Sequence, residues 1–317
     1  MKTTCPFSAM ADEISNICSG TFQKIQSDGT YRRTFHAALL ANVAGELEIF
    51  PSIPDHYRLG LFLEAKKYPV TARFSSSLFA NENYPDARGM ALKIHHVSGA
   101  VCDDAPEGEH TIVTINQPTF IAQDAEDMLA YMRKMDGVKA LSPLNIAPPT
   151  YTFPSLNPAK ARWGFVKAML YTLSQYFQRR DLAQYHYYSI SPYRLGESAM
   201  KYEFRPASQP VGKGRTLRER LHSHLLQAPL EFDFFIQPKT LETDLVDNLF
   251  QVWQSPAYRV GRLTFPVQDF LQAALFEAGE QLSYNPWYCL EAHEPLGSIN
   301  ALRREVYKNS ALRRGSY

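Results

Sequence analysis

Val70-Thr71-Ala72-Arg73-Phe74-Ser75 is β-branched and aromatic, and it reads as a buried strand. Working outward, Glu46–Ile49 alternates, Gly89–His95 alternates, and Thr111–Asn116 is a short apolar run. The first half of the chain is therefore mainly strands. Asp124–Met135 changes period: Met128, Leu129, Met132 and Met135 share one side of a helix. Pro143–Pro158 reads as a structured loop, because it carries Tyr151, Phe153 and Leu156. A long aromatic helix follows at Ala159–Arg179. Further strands are expected at Lys201–Arg205, Glu231–Gln237 and Arg259–Phe265, with helices at Arg215–Leu226 and Val267–Ala278. The last element, Ser298–Arg314, follows Gly297, lacks proline and has Ser298 as a candidate cap. Seven or eight strands arriving as pairs between helices predict an α+β protein: an antiparallel barrel with helices packed outside it.

The chain has 317 residues, 45% hydrophobic and 13% aromatic, enough for a sizeable core. Its net charge of +1 gives no global attraction to nucleic acid or membranes. Met1–Gly20 mixes Lys2, Asp12 and Glu13 with small residues and lacks the apolar core of a signal peptide. No apolar run is long enough to be an integral membrane segment. Cys5, Cys18, Cys102 and Cys289 are scattered without a CxxC, which argues against a disulfide framework and for a reducing cytoplasm. The reading is a soluble cytoplasmic protein.

Nucleotide, zincin and nucleophile-elbow motifs are absent, and Gly212-Lys213-Gly214 is a surface turn rather than a phosphate cradle. His95-His96 and His222-Ser223-His224 have metal-pair spacing but no third ligand nearby, so they read as ordinary histidines. Tyr307 lies four residues after Arg303 and seven before Arg314, one face of a helix. Two flanking cations favour a phenolate, a hard ligand for ferric haem. Taken alone, a basic helix end complementing the helix dipole is the simpler reading. At the front of the chain, His36, Ser75 and Asn116 are the groups peroxide chemistry needs: a neutral pinned imidazole, a hydroxyl that pins it, and an amide donor. Singly, each also reads as a core histidine, a strand serine and a turn asparagine.

Taken in order, these segments resemble the haem catalase family. Arg33-x-x-His36-Ala37 is similar to its distal-histidine segment, and Tyr68 to Ser75 to its "TPVxVRFS" strand. Asp86-Ala87-Arg88-Gly89-Met90-Ala91-Leu92-Lys93 resembles "DxRGxAxK", Asn116 to Phe120 the distal-asparagine stretch, and Arg303-x-x-x-Tyr307 the proximal "RxxxY". Tyr284 to Trp287, Gly297 to Asn300 and Ser191 to Gly196 resemble the short catalase-related proteins in particular. The likeness runs from about Tyr31 to Arg314. It implies an eight-stranded barrel with the proximal ligand on the C-terminal helix. It also implies one haem domain: residues 1–30 as an N-terminal segment, 31–266 as barrel with inserted helices, and 267–317 as a helical end. Tyr307 would ligate the iron of haem b, with Arg303 on its phenolate. His36 and Asn116 would be the distal catalytic pair, with Ser75 behind His36. Arg33, Arg73 and Arg314 would hold the propionates. The substrate would be a peroxide or organic hydroperoxide, and the protein a homo-oligomer, a dimer or more.

The sequence departs from the family at Ala38-Leu39-Leu40-Ala41, bulkier than the usual small-residue run, and at Phe35, where catalases carry valine and coral allene oxide synthase threonine. Leu129 falls roughly where catalases place a phenylalanine against the haem. The chain ends ten residues after Tyr307, giving the expectation of no wrapping segment or C-terminal domain and a wider approach to the iron. Phe35, Leu39, Leu40, Met128, Leu129, Phe165 and Phe177 are candidates to line that approach. Three functions follow: a peroxidase or weak catalase favouring organic hydroperoxides, a hydroperoxide isomerase or lyase of the allene oxide synthase type, and a haem carrier or sensor.

Overall fold

The computed structural model describes residues 7–23, 29, 31–139, 141–143 and 145–316; Cys5 lies outside them. Nine strands run antiparallel: β1 Ala38–Ile49, β2 Lys67–Ser76, β3 Arg88–His95, β4 Glu109–Ile115, β5 Tyr187–Tyr188, β6 Tyr193–Leu195, β7 Ser198–Pro206, β8 Leu230–Pro238 and β9 Tyr258–Phe265. Pairing proceeds β5-β4-β3-β2-β1-β9-β8-β7, and β5 also pairs with β7. Those eight strands close a barrel, while β6 hairpins onto the edge of β7. Closure leaves few open edges and sends alternate side chains inward. In β8, Leu230, Phe232, Phe234 and Ile236 are buried while their neighbours are half-exposed. Phe74, Tyr187, Phe204, Phe234 and Phe265 fill the interior, with the rings of Phe204 and Phe234 stacked 4.6 Å apart.

The helices are α1 Ser8–Ile17, α2 Ala125–Met135, α3 Pro149–Thr152, α4 Trp163–Phe177, α5 Leu217–Leu225, α6 Ala273–Gln281 and α7 Ser298–Arg314. Residues of α1, α2, α4 and α7 meet in a second apolar cluster, which includes Ile14, Met132, Phe165 and Leu302. Asp124 caps α2 by accepting from Asp127 N at 2.9 Å, and Thr216 with Glu219 forms a capping box on α5.

Four expectations need correction. Helix α6 begins at Ala273 rather than Val267, because Gln268 is tied to the backbone of Ala44 and Asp269 accepts from Leu271 N. Helix α4 begins at Trp163 rather than Ala159, after a tight turn at Pro158–Lys160. Ser298 does not cap α7; its hydroxyl accepts from Ala125 N at the start of α2 and donates to Asp247. Within Pro143–Pro158, Tyr151 is buried, but Phe153 and Leu156 are exposed. Helix α1, which packs beside α7, and strands β5 and β6 were not read from the sequence. Cys102 and Cys289 are buried thiols whose sulfurs lie 3.6 Å apart.

Candidate active site

A cavity of about 150 Å³, open to solvent on one side, lies between the outer face of the barrel and α7. Its wall is apolar on the helical side, from Ile14, Phe120, Met128, Ile299, Leu302 and Val306. Phe35 and Tyr307 line it and also line two recesses beside it, of about 50 Å³ each. Arg33 lines both recesses, Arg314 the first and Arg73 the second.

His36 sits just before β1, in a left-handed backbone conformation with φ of 53°. That geometry is disfavoured for an L-residue, and surrounding bonds hold it. Its N–H donates to Ser77 O at 2.9 Å, and its carbonyl accepts from Arg73 Nη1 at 2.8 Å. Its Nδ1 lies 3.0 Å from Ser75 Oγ. Register explains the room: Ser75 stands opposite Gly89 across β2 and β3, and a Cβ on Gly89 would reach within 2.6 Å of Nδ1. His36 lines both the cavity and the second recess. Burial, then Arg73, Arg303, Arg88 and Arg33, bring the imidazole down to about 3, so it is neutral at physiological pH.

On α7, Arg303 Nη2 donates to the Tyr307 hydroxyl at 3.2 Å. Arg303 is itself fixed by Asn300, whose Oδ1 accepts from Nη1 at 3.2 Å and whose Nδ2 donates to Pro192 O and Leu296 O. Burial works against the charge on Arg303, yet Tyr307 and Tyr193 outweigh it, and its pKa is raised. Arg303 and Tyr307 share one face of the helix, as their four-residue spacing demands.

Arg33, Arg73 and Arg314 form the unbalanced part of the site. Arg33 Nη2 donates to the carbonyls of Gly279 and Glu280 at 3.3 and 3.2 Å and to that of Leu282. Arg314 Nη1 donates to Glu280 O at 3.1 Å. Arg73 Nη2 forms an ion pair with a Glu280 carboxylate oxygen at 3.6 Å. Arg33 Nε, Arg73 Nε, Arg73 Nη2 and Arg314 Nε are buried without a hydrogen-bond partner. Burial, then mutual repulsion with Arg73 and Arg314, drives Arg33 well down; burial and Arg73 bring Arg314 to about 10. Arg73 is lowered by burial and partly restored by Glu280. Clustered buried cations with spare donors call for anions.

Asn116 is not brought into this group. It is buried, and its Oδ1 accepts from Arg88 N at 2.8 Å, so its side chain holds β4 against the start of β3. Its neighbour Gln117 lines the cavity instead and donates to Thr172. Of the residues expected along the approach, Phe35 and Met128 line the cavity. Leu40, Leu129 and Phe165 are core, Leu39 is buried elsewhere on β1, and Phe177 points outward. Phe35 packs its ring 5.2 Å from that of Phe22. Tyr284, which the sequence reading left without a role, lines both recesses; burial raises it to about 12 against the pull of Arg73 and Arg33. Among the described residues no three His, Cys, Asp or Glu side chains gather as a metal site, and no helix is long and apolar enough to cross a membrane.

A closed barrel with a tyrosine-bearing helix against its outer wall is a catalase-like fold. Three solved structures are similar over nearly the whole chain. A fungal catalase matches with a TM-score of 0.67 and 17% identity over 91% of this chain and 60% of its own. Catalase A from Saccharomyces cerevisiae matches with 0.62 and 18% over 90% and 61%, and a bacterial catalase with 0.62 and 16% over 90% and 57%. The chain thus spans about three-fifths of the length of these catalases. No family model and no curated protein matches it by sequence.

Proposed function

We propose that this chain is a haem-dependent enzyme acting on peroxides, with organic hydroperoxides preferred over hydrogen peroxide. The observation that carries the reading is the trio Arg33, Arg73 and Arg314, three cations around the one carboxylate of Glu280, whose buried Nε groups lack hydrogen-bond partners and which border the same space as Tyr307 and His36. An apolar slot ending in spare guanidinium donors fits a flat hydrophobic group with two carboxylates. Tyr307, backed by Arg303, would ligate the iron, and the three arginines would hold the propionates. Haem b bound there supplies a ferric iron at which the O–O bond of a peroxide opens.

The protein's own part is proton handling. With Nδ1–H of His36 given to Ser75 Oγ, Nε2 is left unprotonated toward the cavity. It takes the proton from one peroxide oxygen and returns it to the other. The depressed pKa keeps this nitrogen free to accept across the physiological range. An organic peroxide gains apolar contact with the cavity wall, about 25 cal/mol per Å² buried, that hydrogen peroxide lacks. The test compares kcat/KM for hydrogen peroxide, cumene hydroperoxide and a fatty-acid hydroperoxide, with oxygen release and product structure followed together. Rapid oxygen release without consumption of organic peroxide defeats the preference. Isomerised product formed without a reductant replaces the peroxidase by an isomerase.

A further inference from the structure

Helix α4 is built inside out. Its inward face carries Thr172 and Gln175 beside Phe165 and Ala168, all buried. Its outward face carries Trp163, Leu170, Leu173 and Phe177, exposed by 51, 59, 37 and 75%. At about 100° per residue these four fall within one narrow stripe along the helix. Phe153 and Leu156 extend the stripe beyond its start; both are exposed, and Phe153 meets Trp163 edge-on with ring centres 6.1 Å apart. An aromatic and leucine stripe facing water marks a surface that is covered in use.

The charges around it name the cover. Between Gly137 and Arg180 the sequence has six cations (Lys139, Lys160, Arg162, Lys167, Arg179 and Arg180) and no Asp or Glu. Arg162 is paired with Asp127, at 2.5 Å. Lys160 precedes the stripe, Lys167 lies along its margin, and Arg179 and Arg180 follow its far end. In a chain of net charge +1 this is a local excess, and it flanks the apolar outer face of α4. With 15 residues, α4 is too short to cross a bilayer, for which about 20 are needed, so it would lie along one. A second copy docked through the same face by a two-fold axis would bring these cations against their own counterparts.

We propose that the outer face of α4, with Phe153 and Leu156, docks the protein onto an anionic lipid bilayer: Trp163, Leu170 and Phe177 enter the interface, and Lys160, Lys167, Arg179 and Arg180 meet lipid phosphates. The attachment is peripheral, and it is independent of what the cavity does.

Co-sedimentation of the full chain with vesicles of phosphatidylcholine alone, or mixed with phosphatidylglycerol, tests it. Binding is expected to the mixed vesicles, at least tenfold weaker to the neutral ones, and lost at about 1 M salt, where the screening length is about 3 Å. Trp163 emission should shift to the blue on binding, and Trp163→Phe should remove that shift. Leu170→Glu with Phe177→Glu, both on exposed positions, should abolish sedimentation with the melting temperature kept; Lys160→Ala with Lys167→Ala should weaken it roughly tenfold or more. Equal sedimentation of the wild type and the glutamate variant overturns the proposal. So does a wild-type dimer that ignores vesicles and dissociates in the glutamate variant, which makes the cover a second copy.

Discussion

The barrel interior and the cavity outside it both shield histidines from water, and they treat them differently. Inside, His110 Nδ1 accepts from Leu290 N at 3.2 Å, and its Nε2 lies 3.5 Å from the Tyr202 hydroxyl. His293 Nε2 accepts from Leu61 N, and its Nδ1 faces Arg194 O at 3.2 Å. Both rings are used on two sides by the fold. At the cavity, His36 gives one nitrogen to Ser75 and turns the rest of its ring toward open space, while nearby arginines keep nitrogens without partners. Burial depresses all three histidines, so a shifted pKa alone does not separate a working residue from a structural one. Free hydrogen-bonding capacity at a cavity is what sets His36 apart from the two interior histidines, and the variants below test whether it works there.

The largest effect that would break this contrast is at Tyr307. Tyr307→Phe should lose haem, read as haem content and absorbance after purification, because Arg303 then faces a ring with no oxygen to ligate. A variant with the wild-type spectrum would remove Tyr307 from the site. Next, His36→Ala should keep its haem yet slow peroxide consumption by ~10²–10⁴-fold, the usual scale for one acid–base group. The interior control, His110→Phe, should do the reverse. It should lose roughly 1–3 kcal/mol of stability by stranding Leu290 N–H, with turnover per bound haem unchanged. Stopped-flow rates that fall in His110→Phe and not in His36→Ala would invert the assignment.

A smaller effect is expected for Arg33→Leu, Arg73→Leu and Arg314→Leu. Each should weaken haem retention, measured by transfer to an acceptor protein, by more than it lowers the melting temperature. Equal retention in all three would place the propionates elsewhere. Asn116→Ala should cost about 1–3 kcal/mol of stability through the lost bond to Arg88 N–H, and should slow peroxide consumption by less than His36→Ala does.

The smallest is a pH effect. His36 and His293 have folded pKa values of about 3 and 4, below the ordinary value of about 6.5 for an unfolded chain, and His110 is also lowered. Between about pH 6.5 and those values the unfolded chain binds more protons, so stability falls as pH falls through that window and gains nothing from these groups above it. Thermal melting from pH 7 to 4 should show the decline. The His36 contribution to turnover should stay flat down to about pH 5.

Where the reading of the chain succeeded, the information was local. Arg303 and Tyr307 meet because an α-helix repeats every 3.6 residues, and Val70–Ser75 is a strand because β-branched and aromatic residues suit a pleated, buried surface. Where it failed, a distant partner decided. For Asn116, the β3–β4 register brings its Oδ1 to Arg88 N, a contact no local pattern shows. Ser298 resembles a cap for α7 and instead caps α2. Helix α1 buries Ala11, Ile14 and Ile17 at helical spacing, a short pattern that the reading passed over, and its place is fixed against α7.

The sequence by itself determined the strand-rich architecture and the arginine–tyrosine face of α7, both set by short-range periodicity. It also held the ordered motifs that resemble catalases. Only the tertiary structure decided that β5 closes the ring onto β7, that Gly89 makes room for His36 beside Ser75, and that Arg33, Arg73 and Arg314 converge. Those outcomes depend on strand register and on residues up to 281 positions apart (33 to 314) meeting in space, and no local pattern specifies them.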